Sequence, residues 1–337
     1  MVSFEHHSEP KAGRIAVIDV GSNSTHMLVV EVVPGAAFRI LEAVKEQTRL
    51  AADLDERLML DANALNKMSS VLKKMRDIAD RYNAQIRCVA THALREAKNG
   101  GEFANRLSKK SGVQVDIVSG QEEARLVALG VRHGLPIAGQ PTLIVDVGGG
   151  STEIVLCQWN EVRFATSLKL GAVRLTQKFL KDDPFSERDL LALEEYVVSR
   201  LEPVCHEIRK IGFDVAVGSS GTIKALQTLS MASRGEEIPK NLHGTELVMA
   251  NLSSVCETLF KNRSIQERRL LPKMDSKRAD IIVAGAMVLK VLGEIAGISS
   301  FRVSSTALRE GLIVDTQSRE STWLQGDSID VRWQSIR

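Results

Sequence analysis

Two short stretches of this chain set an aspartate, glycines and hydroxyls at a spacing suited to holding phosphate. DVGSNS contributes Asp19, Gly21, Ser22, Asn23 and Ser24, and DVGGGS contributes Asp146, Gly148, Gly149, Gly150 and Ser151. Such a turn bares backbone N–H groups and a hydroxyl around a small concavity, and glycine lets the backbone close on an anion. An aspartate at the end of the preceding strand can bind Mg2+ or orient a water. Taken alone, either turn is equally a tight hairpin. A third glycine segment, VGSSGTIKAL, carries Gly221 and Thr222 between a strand and a helix, where N-terminal amides favour anions. No GxxxxGK[ST] string occurs, and the first two turns join strand to strand rather than strand to helix. P-loop and Rossmann sites are therefore unsupported.

The elements that must position these turns occur twice. RIAVIDVGSNSTHMLVVEVV (Arg14 to Val33) returns as TLIVDVGGGSTEIVLCQ (Thr142 to Gln158), and setting Asp19 on Asp146 gives an offset of 146 − 19 = 127 residues. The same offset lays IRCVATHAL on FDVAVGSSGT, each a short buried strand entering a helix. VDIVSGQEEARL (Val115 to Leu126) then matches FRVSSTALREGL (Phe301 to Leu312) at an offset of about 185, so the second half holds an insertion of roughly 60 residues before its last strand. Each half reads strand-strand-strand-helix-strand-helix-strand-helix. GLPIAGQP (Gly134 to Pro141) has the composition of a hinge between them. Helices are expected over Asp61–Tyr82, Glu102–Ser111, Ser186–Lys210 and Lys277–Ile298, with Ser186 and Asp189 as an N-cap pair. The expected division is 1–138, 139–317 with a last helix at about 305–317 returning to the first half, and a polar tail over 318–337 in which Trp323 and Trp333 could pack.

Composition narrows the function. Lys and Arg number 44 against 42 Asp and Glu, a net charge of +2 that offers no broad basic surface for duplex nucleic acid. Hydrophobic residues make up 44% and aromatics only 4%, so the core rests on aliphatic side chains, which suits helices layered on buried sheets. Four scattered cysteines with no CxxC pair, and no apolar N-terminal run, point to a soluble cytoplasmic protein away from any membrane.

With DxGSNS, DxGGGSTE and GxSGT in this order, the sequence resembles the acetate kinase/actin/sugar kinase superfamily of duplicated ribonuclease-H-like domains. IDVGSNSTHMLV, ATHALREAKN, VSGQEEARL, VDVGGGSTEIV and VSSTALREGL, spread from Arg14 to Asp315, narrow the resemblance to the exopolyphosphatase/guanosine pentaphosphate phosphatase family. The implied fold is α/β, with two ribonuclease-H-like domains and an active-site cleft between them. The resemblance assigns the general base to Glu123, the second acid of SGQEEAR, and leaves Glu122 an ordinary first-turn acid. It assigns a metal, Mg2+ or else Mn2+, to Asp146, with Glu153 and Asp19 assisting. Gly21, Ser22, Asn23 and Ser24 would cradle one phosphate, Gly148, Gly149, Gly150 and Ser151 the next, and Gly221 and Thr222 the far side. Arg95, in THALREA, matches an arginine facing phosphate, whereas Arg309, in a second ALRE string, matches a packing position. His26 stands where the second copy has Glu153, either satisfied in the core or contacting ligand.

The implied reaction is release of orthophosphate from the end of inorganic polyphosphate. The alternatives are hydrolysis of the 5′ phosphate of guanosine pentaphosphate (pppGpp) in the same site, and a kinase or noncatalytic nucleotide-binding scaffold. The insertion, with HGTEL (His243 to Leu247) and the basic run holding Arg268, Arg269, Lys273, Lys277 and Arg278, is expected to line the cleft or to remain solvated surface. Longer members of the family carry a C-terminal helical extension. This chain reads as the short form, and a homodimer fits the resemblance.

Overall fold

The computed structural model describes residues 13–33, 37–54, 56–137, 139–158 and 161–325. The first half forms β1 (Arg14–Val20), β2 (Thr25–Val33), β3 (Ala37–Glu46), α1 (Ala62–Arg81), β4 (Gln85–Ala90), α2 (His92–Glu96), α3 (Gly100–Ser111), β5 (Val115–Ile117) and α4 (Gly120–Gly134). The second forms β6 (Thr142–Val147), β7 (Thr152–Gln158), β8 (Glu161–Leu168), α5 (Ala172–Phe179), α6 (Glu187–Ile211), β9 (Val215–Ser219), α7 (Ser220–Ser233), β10 (Glu246–Val248), α8 (Met249–Lys261), α9 (Ile265–Arg269), α10 (Ile282–Ala296), β11 (Ser300–Val303) and α11 (Leu308–Gln325).

The strands build two mixed sheets, ordered β3-β2-β1-β4-β5 and β8-β7-β6-β9-β11-β10. Element for element the second repeats the first, with β10 added at its edge by the insertion. This is the duplicated α/β architecture that the repeated strings predict. Register repeats as well: Asp19 pairs with His26 across β1 and β2, and Asp146 with Glu153 across β6 and β7. The central strands β1 and β6 are near-continuous apolar runs because helices cover both faces of each sheet.

Helix chemistry follows the sequence closely. Asp61 caps α1 by accepting from the Ala64 amide, and Leu65, Met68, Leu72 and Met75 form its buried stripe. Ser186 and Asp189 make a reciprocal capping box at the start of α6. The helix expected from Lys277 starts only at Ile282, and α11 continues past the expected boundary at 317 to Gln325. The packing expected of the Trp323 side chain and of Trp333 lies outside the described residues.

A third core lies between the sheets. Ile15, Val17 and Leu28 from one sheet, and Ile144, Val155 and Val217 from the other, close on α4 and α11. These two helices touch backbone to backbone, with Gly130 of α4 against Ala307 and Gly311 of α11 against Leu126. The crossing joins the halves and packs against β1 and β6. Among the described residues no helix is long and apolar enough to cross a membrane.

Candidate active site

Both glycine turns close in the same way. The Gly21 amide donates to the Ser24 carbonyl at 3.2 Å, and the Gly148 amide to that of Ser151 at 2.9 Å. Outside bonds fix each turn: the Arg49 and Ala51 amides donate to the carbonyls of Asn23 and Ser22, and those of Ala172 and Val173 to Gly148 and Gly149. The turns face and touch one another, since a Cβ on Gly149 would lie 3.1 Å from the Ser22 Cβ. Between and beside them opens a cleft of about 160 Å³. Gly21 to Ser24, Gly148 to Ser151, Gly221 and Thr222 all border it, as do Asp19, Glu123, Asp146 and Glu153. The three glycine segments and the four acids thus converge on one place.

The four carboxyls lie at strand and helix ends, Glu123 and Glu153 buried and Asp19 and Asp146 half-buried. Burial and the nearby charges of Glu123 and Asp146 push Asp19 up to about 7. Burial also raises Glu123 to about 7 against the pull of Arg95, with Asp146 adding to the rise. Asp146 is raised by burial although the Ser219 hydroxyl donates to it at 2.6 Å, and Glu153 is raised well above the usual range by burial, Glu123 and Asp146. Ser167 donates to Glu153 at 2.8 Å. The Asp19 Oδ1 atom is buried with no hydrogen-bond partner. Hard oxygen donors crowded at this cost, one of them unpartnered, fit a divalent cation of the Mg2+ type. Among the described residues no three His, Cys, Asp or Glu side chains form a metal cage by themselves. Mg2+ commonly takes one or two carboxylates and completes its shell with water and phosphate oxygens.

Glu122 and Glu123 face different ways. Glu122 pairs with Arg125 at 2.7 Å, and Arg125 continues to the buried Asp315 at 2.6 Å, tying α4 to α11 away from the cleft. Glu123 turns inward. Arg95 does not border the cleft; its guanidinium donates to Glu123 Oε2 at 2.9 Å and to the Val118 carbonyl at 2.9 Å. The Thr222 hydroxyl donates to the Val147 carbonyl at 3.0 Å, its amide donates to Ser220 Oγ at 3.1 Å, and its methyl lies against Gly285 of α10. His26 borders the cleft and bonds Ser24 Oγ through Nε2 at 2.9 Å.

A family model described as the Ppx/GppA phosphatase family matches residues 28–320. The chain belongs to the Ppx/GppA phosphatase family. It is 32% identical over 321 residues to a guanosine-5′-triphosphate,3′-diphosphate pyrophosphatase of Vibrio vulnificus, a match covering 94% of this chain and 61% of that protein. The chain therefore spans about three fifths of the length of the curated relatives it matches, the second of which it covers to 58%. Among solved structures, the Aquifex aeolicus member of the Ppx/GppA family superposes with a TM-score of 0.76 at 29% identity, covering 91% of this chain and 98% of that one. An exopolyphosphatase from Cytophaga hutchinsonii gives a TM-score of 0.82 at 25% identity, covering 94% and 99%.

In this Ppx/GppA chain the positive charge of the cleft comes from Arg309, which the resemblance had placed at a packing position, from Lys224, which no motif singled out, and from Arg278 of the basic run, as one of its two expected placements had it. Arg309 borders the cleft, near enough to bear on Asp19, His26, Asp146 and Lys224. A signal for it existed: with Val115 on Phe301, Arg309 falls on Glu123, both offsets being 186 (301 − 115 and 309 − 123). Lys224 of GTIKAL and Arg278 border the same space, and the Arg278 guanidinium lies over Gly221, where a Cβ would stand 1.8 Å from it. Of the basic run, Arg268 is instead buried, donating to the carbonyls of Asn262, Arg263 and Ala279. It is a structural clasp and not an anion ligand. His243 likewise clasps, bonding the Gly134 carbonyl through Nε2 at 2.9 Å and accepting from the Ser305 amide at 3.0 Å. Neither residue borders the cleft.

Proposed function

We propose that this chain hydrolyses the terminal phosphoanhydride of inorganic polyphosphate, releasing orthophosphate by attack of water. The observation that carries the reading is the inward-turned Glu123 carboxyl, bordering a cleft walled by two phosphate-sized glycine turns. With a pKa pushed up to about 7, Glu123 is basic enough to take the proton of the attacking water and becomes ionised as pH rises through about 7. Arg95 orients it through the bond to Oε2. The backbone of Ser22, Asn23, Gly149 and Gly150 supplies amides along the cleft, and Arg309, Lys224 and Arg278 offset the charge of a polyanion. Asp146 would hold Mg2+, or Mn2+ in its place, with Glu153 or Asp19 assisting and water and phosphate oxygens completing the shell; the ion when bound neutralises charge on the phosphate oxygens. The four cysteines are all free and buried, in keeping with a reducing cytoplasm.

A second reading, hydrolysis of the 5′ phosphate of guanosine pentaphosphate in the same site, is favoured by the 32% identity to the Vibrio vulnificus protein named for that class of nucleotide. The discriminating experiment offers the purified chain, with Mg2+, polyphosphates of defined length, guanosine pentaphosphate and ATP in parallel, and measures orthophosphate. Release from polyphosphate alone selects the first reading, and release from the nucleotide alone selects the second. No release from either, where Glu123→Gln also binds neither, removes both.

A further inference from the structure

His92 opens α2 at the end of β4, and its ring lies under the second glycine turn. A Cβ on Gly150 would stand 2.1 Å from His92 Nδ1 and 2.7 Å from Ser22 Oγ. Both His92 and Ser22 are 5% exposed, and both His92 Nδ1 and Ser22 Oγ are buried without a hydrogen-bond partner. A buried polar group left unpaired forfeits the hydrogen bonds it made in water, so such groups are rare unless something is meant to meet them. They come from the first half of the chain and lie where the glycine turn of the second half comes down on them.

The far side of the ring defines its hydrogen. Arg174 of α5 approaches His92 Nε2 with Nη2 at 3.1 Å, and a guanidinium can only donate. Nε2 therefore accepts, and the neutral ring carries its hydrogen on Nδ1. Glu96 holds Arg174 in place at 3.4 Å and is itself held by Lys169 at 2.9 Å. Burial, then Arg174 and Arg95, lower the imidazole to about 3, so it remains neutral throughout the working range. The seam between the turns thus contains an N–H donor of fixed direction beside an unpaired hydroxyl.

We propose that His92 contacts substrate, donating its Nδ1 hydrogen alongside the Ser22 hydroxyl to a phosphoryl oxygen that enters between the two glycine turns. The inference rests on the phosphohydrolase reading. An oxygen arriving at the seam replaces the Gly150 contact and satisfies both orphaned groups at once. A neutral donor preset by Arg174 gains this bond with no change of protonation, and it strengthens as charge builds on the phosphoryl oxygens.

Three substitutions test the proposal on whichever substrate the wild type hydrolyses. His92→Asn keeps an N–H near the Nδ1 position, His92→Gln moves it toward Nε2, and His92→Ala removes it. The expected result is a loss of kcat/KM of roughly 100-fold for Ala and Gln and less than about 10-fold for Asn, with unfolding temperatures close to wild type. A His92→Ala enzyme as active as wild type overturns it, as does His92→Asn no better than Ala at equal stability. Should the variants not fold, the ring can be read in Glu123→Gln by 15N NMR of labelled histidine. The Nδ1–H tautomer is expected there, with a shift on saturation by tripolyphosphate; the opposite tautomer or an unmoved signal overturns the proposal. Wild-type turnover with an indifferent His92 sinks this inference alone, whereas a wild type that neither cleaves nor binds either substrate removes the parent reading with it.

Discussion

Arg95 donates to Glu123 at 2.9 Å without bordering the cleft, so the arginine holds the acid in this structure. The pairing holds the carboxylate on a short leash while Asp146 and burial work against its ionisation. Glu123→Gln keeps an acceptor for Arg95 and removes only the basicity. Its kcat should fall by about 100- to 10,000-fold, while Kd for tripolyphosphate stays within a few-fold of wild type. Single-turnover orthophosphate release and calorimetric titration check the two halves, and near-normal turnover would discard Glu123 as base.

Arg95 lowers the pKa of Glu123, so removing it must raise that pKa. In Arg95→Met the acid limb of the kcat/KM profile should move to higher pH by roughly one unit or more, with little change in KM. A large rise in KM with an unmoved acid limb would instead make Arg95 a phosphate ligand, the role that the family resemblance implied.

Asp19 links the site to stability. Its carboxyl rises from 3.8 to about 7 on folding, so the folded protein holds a proton that the unfolded chain releases between those values. The associated stability is present at low pH and is lost as pH rises through about 7, at up to about 1.4 kcal/mol per pH unit. In chelator, the unfolding temperature of the wild type should therefore fall between pH 5 and 8. Asp19→Asn should flatten that slope and be the more stable protein at pH 8, although inactive. Calorimetric scans across this range decide it, and parallel slopes would refute the assignment. Mg2+ should raise the wild-type midpoint at pH 8 more than that of the variant.

These predictions mix features that sequence displays with features it conceals. The duplicated hairpins were legible because a strand buried on both faces needs an unbroken apolar run, and because a glycine turn has a spelling. Glu123 was separable from Glu122 only through family resemblance. Physically the difference is helix phase, one carboxyl facing Arg125 away from the cleft and the other bordering it. Arg268 and Arg278 lie ten residues apart in one basic run, yet one is a buried clasp on three carbonyls and the other borders the cleft over Gly221. Charge alone cannot tell them apart, since the outcome depends on which carbonyls the folded insertion presents. His92 was hidden for a related reason: the hydrogen on its orphaned Nδ1 is fixed only by Arg174, 82 residues away, which takes Nε2.

Arg309 occupies the position in the second half that Glu123 holds in the first, and the opposite charge at equivalent places should divide their labours. Arg309→Met should raise KM for a polyanion by roughly 10- to 100-fold, lower kcat less, and weaken the dependence of KM on salt. It should also push Asp19 further up, because Arg309 lowers it in the wild type. Steady-state kinetics at two ionic strengths are sufficient, and unchanged KM at both would return Arg309 to a packing role.

The crossing of α4 and α11 depends on two glycines. A Cβ on Gly130 would lie 1.9 Å from the Ala307 carbonyl oxygen, and one on Gly311 would lie 1.8 Å from that of Leu126. Neither obstacle is a side chain that can rotate away, so the helices must part or a backbone must shift. Gly130→Ala and Gly311→Ala should each cost about 3 kcal/mol or more, at the upper end of overpacking effects, and should lower activity because β1 and β6 pack against the crossing. Gly101, near the start of α3, provides the control, since a Cβ there meets nothing within 4 Å. Gly101→Ala should be neutral or stabilise by up to about 1 kcal/mol through helix propensity alone. Urea midpoints for the three variants separate the explanations: if Gly130→Ala and Gly311→Ala behave like Gly101→Ala, the close backbone contact does not hold the two halves together.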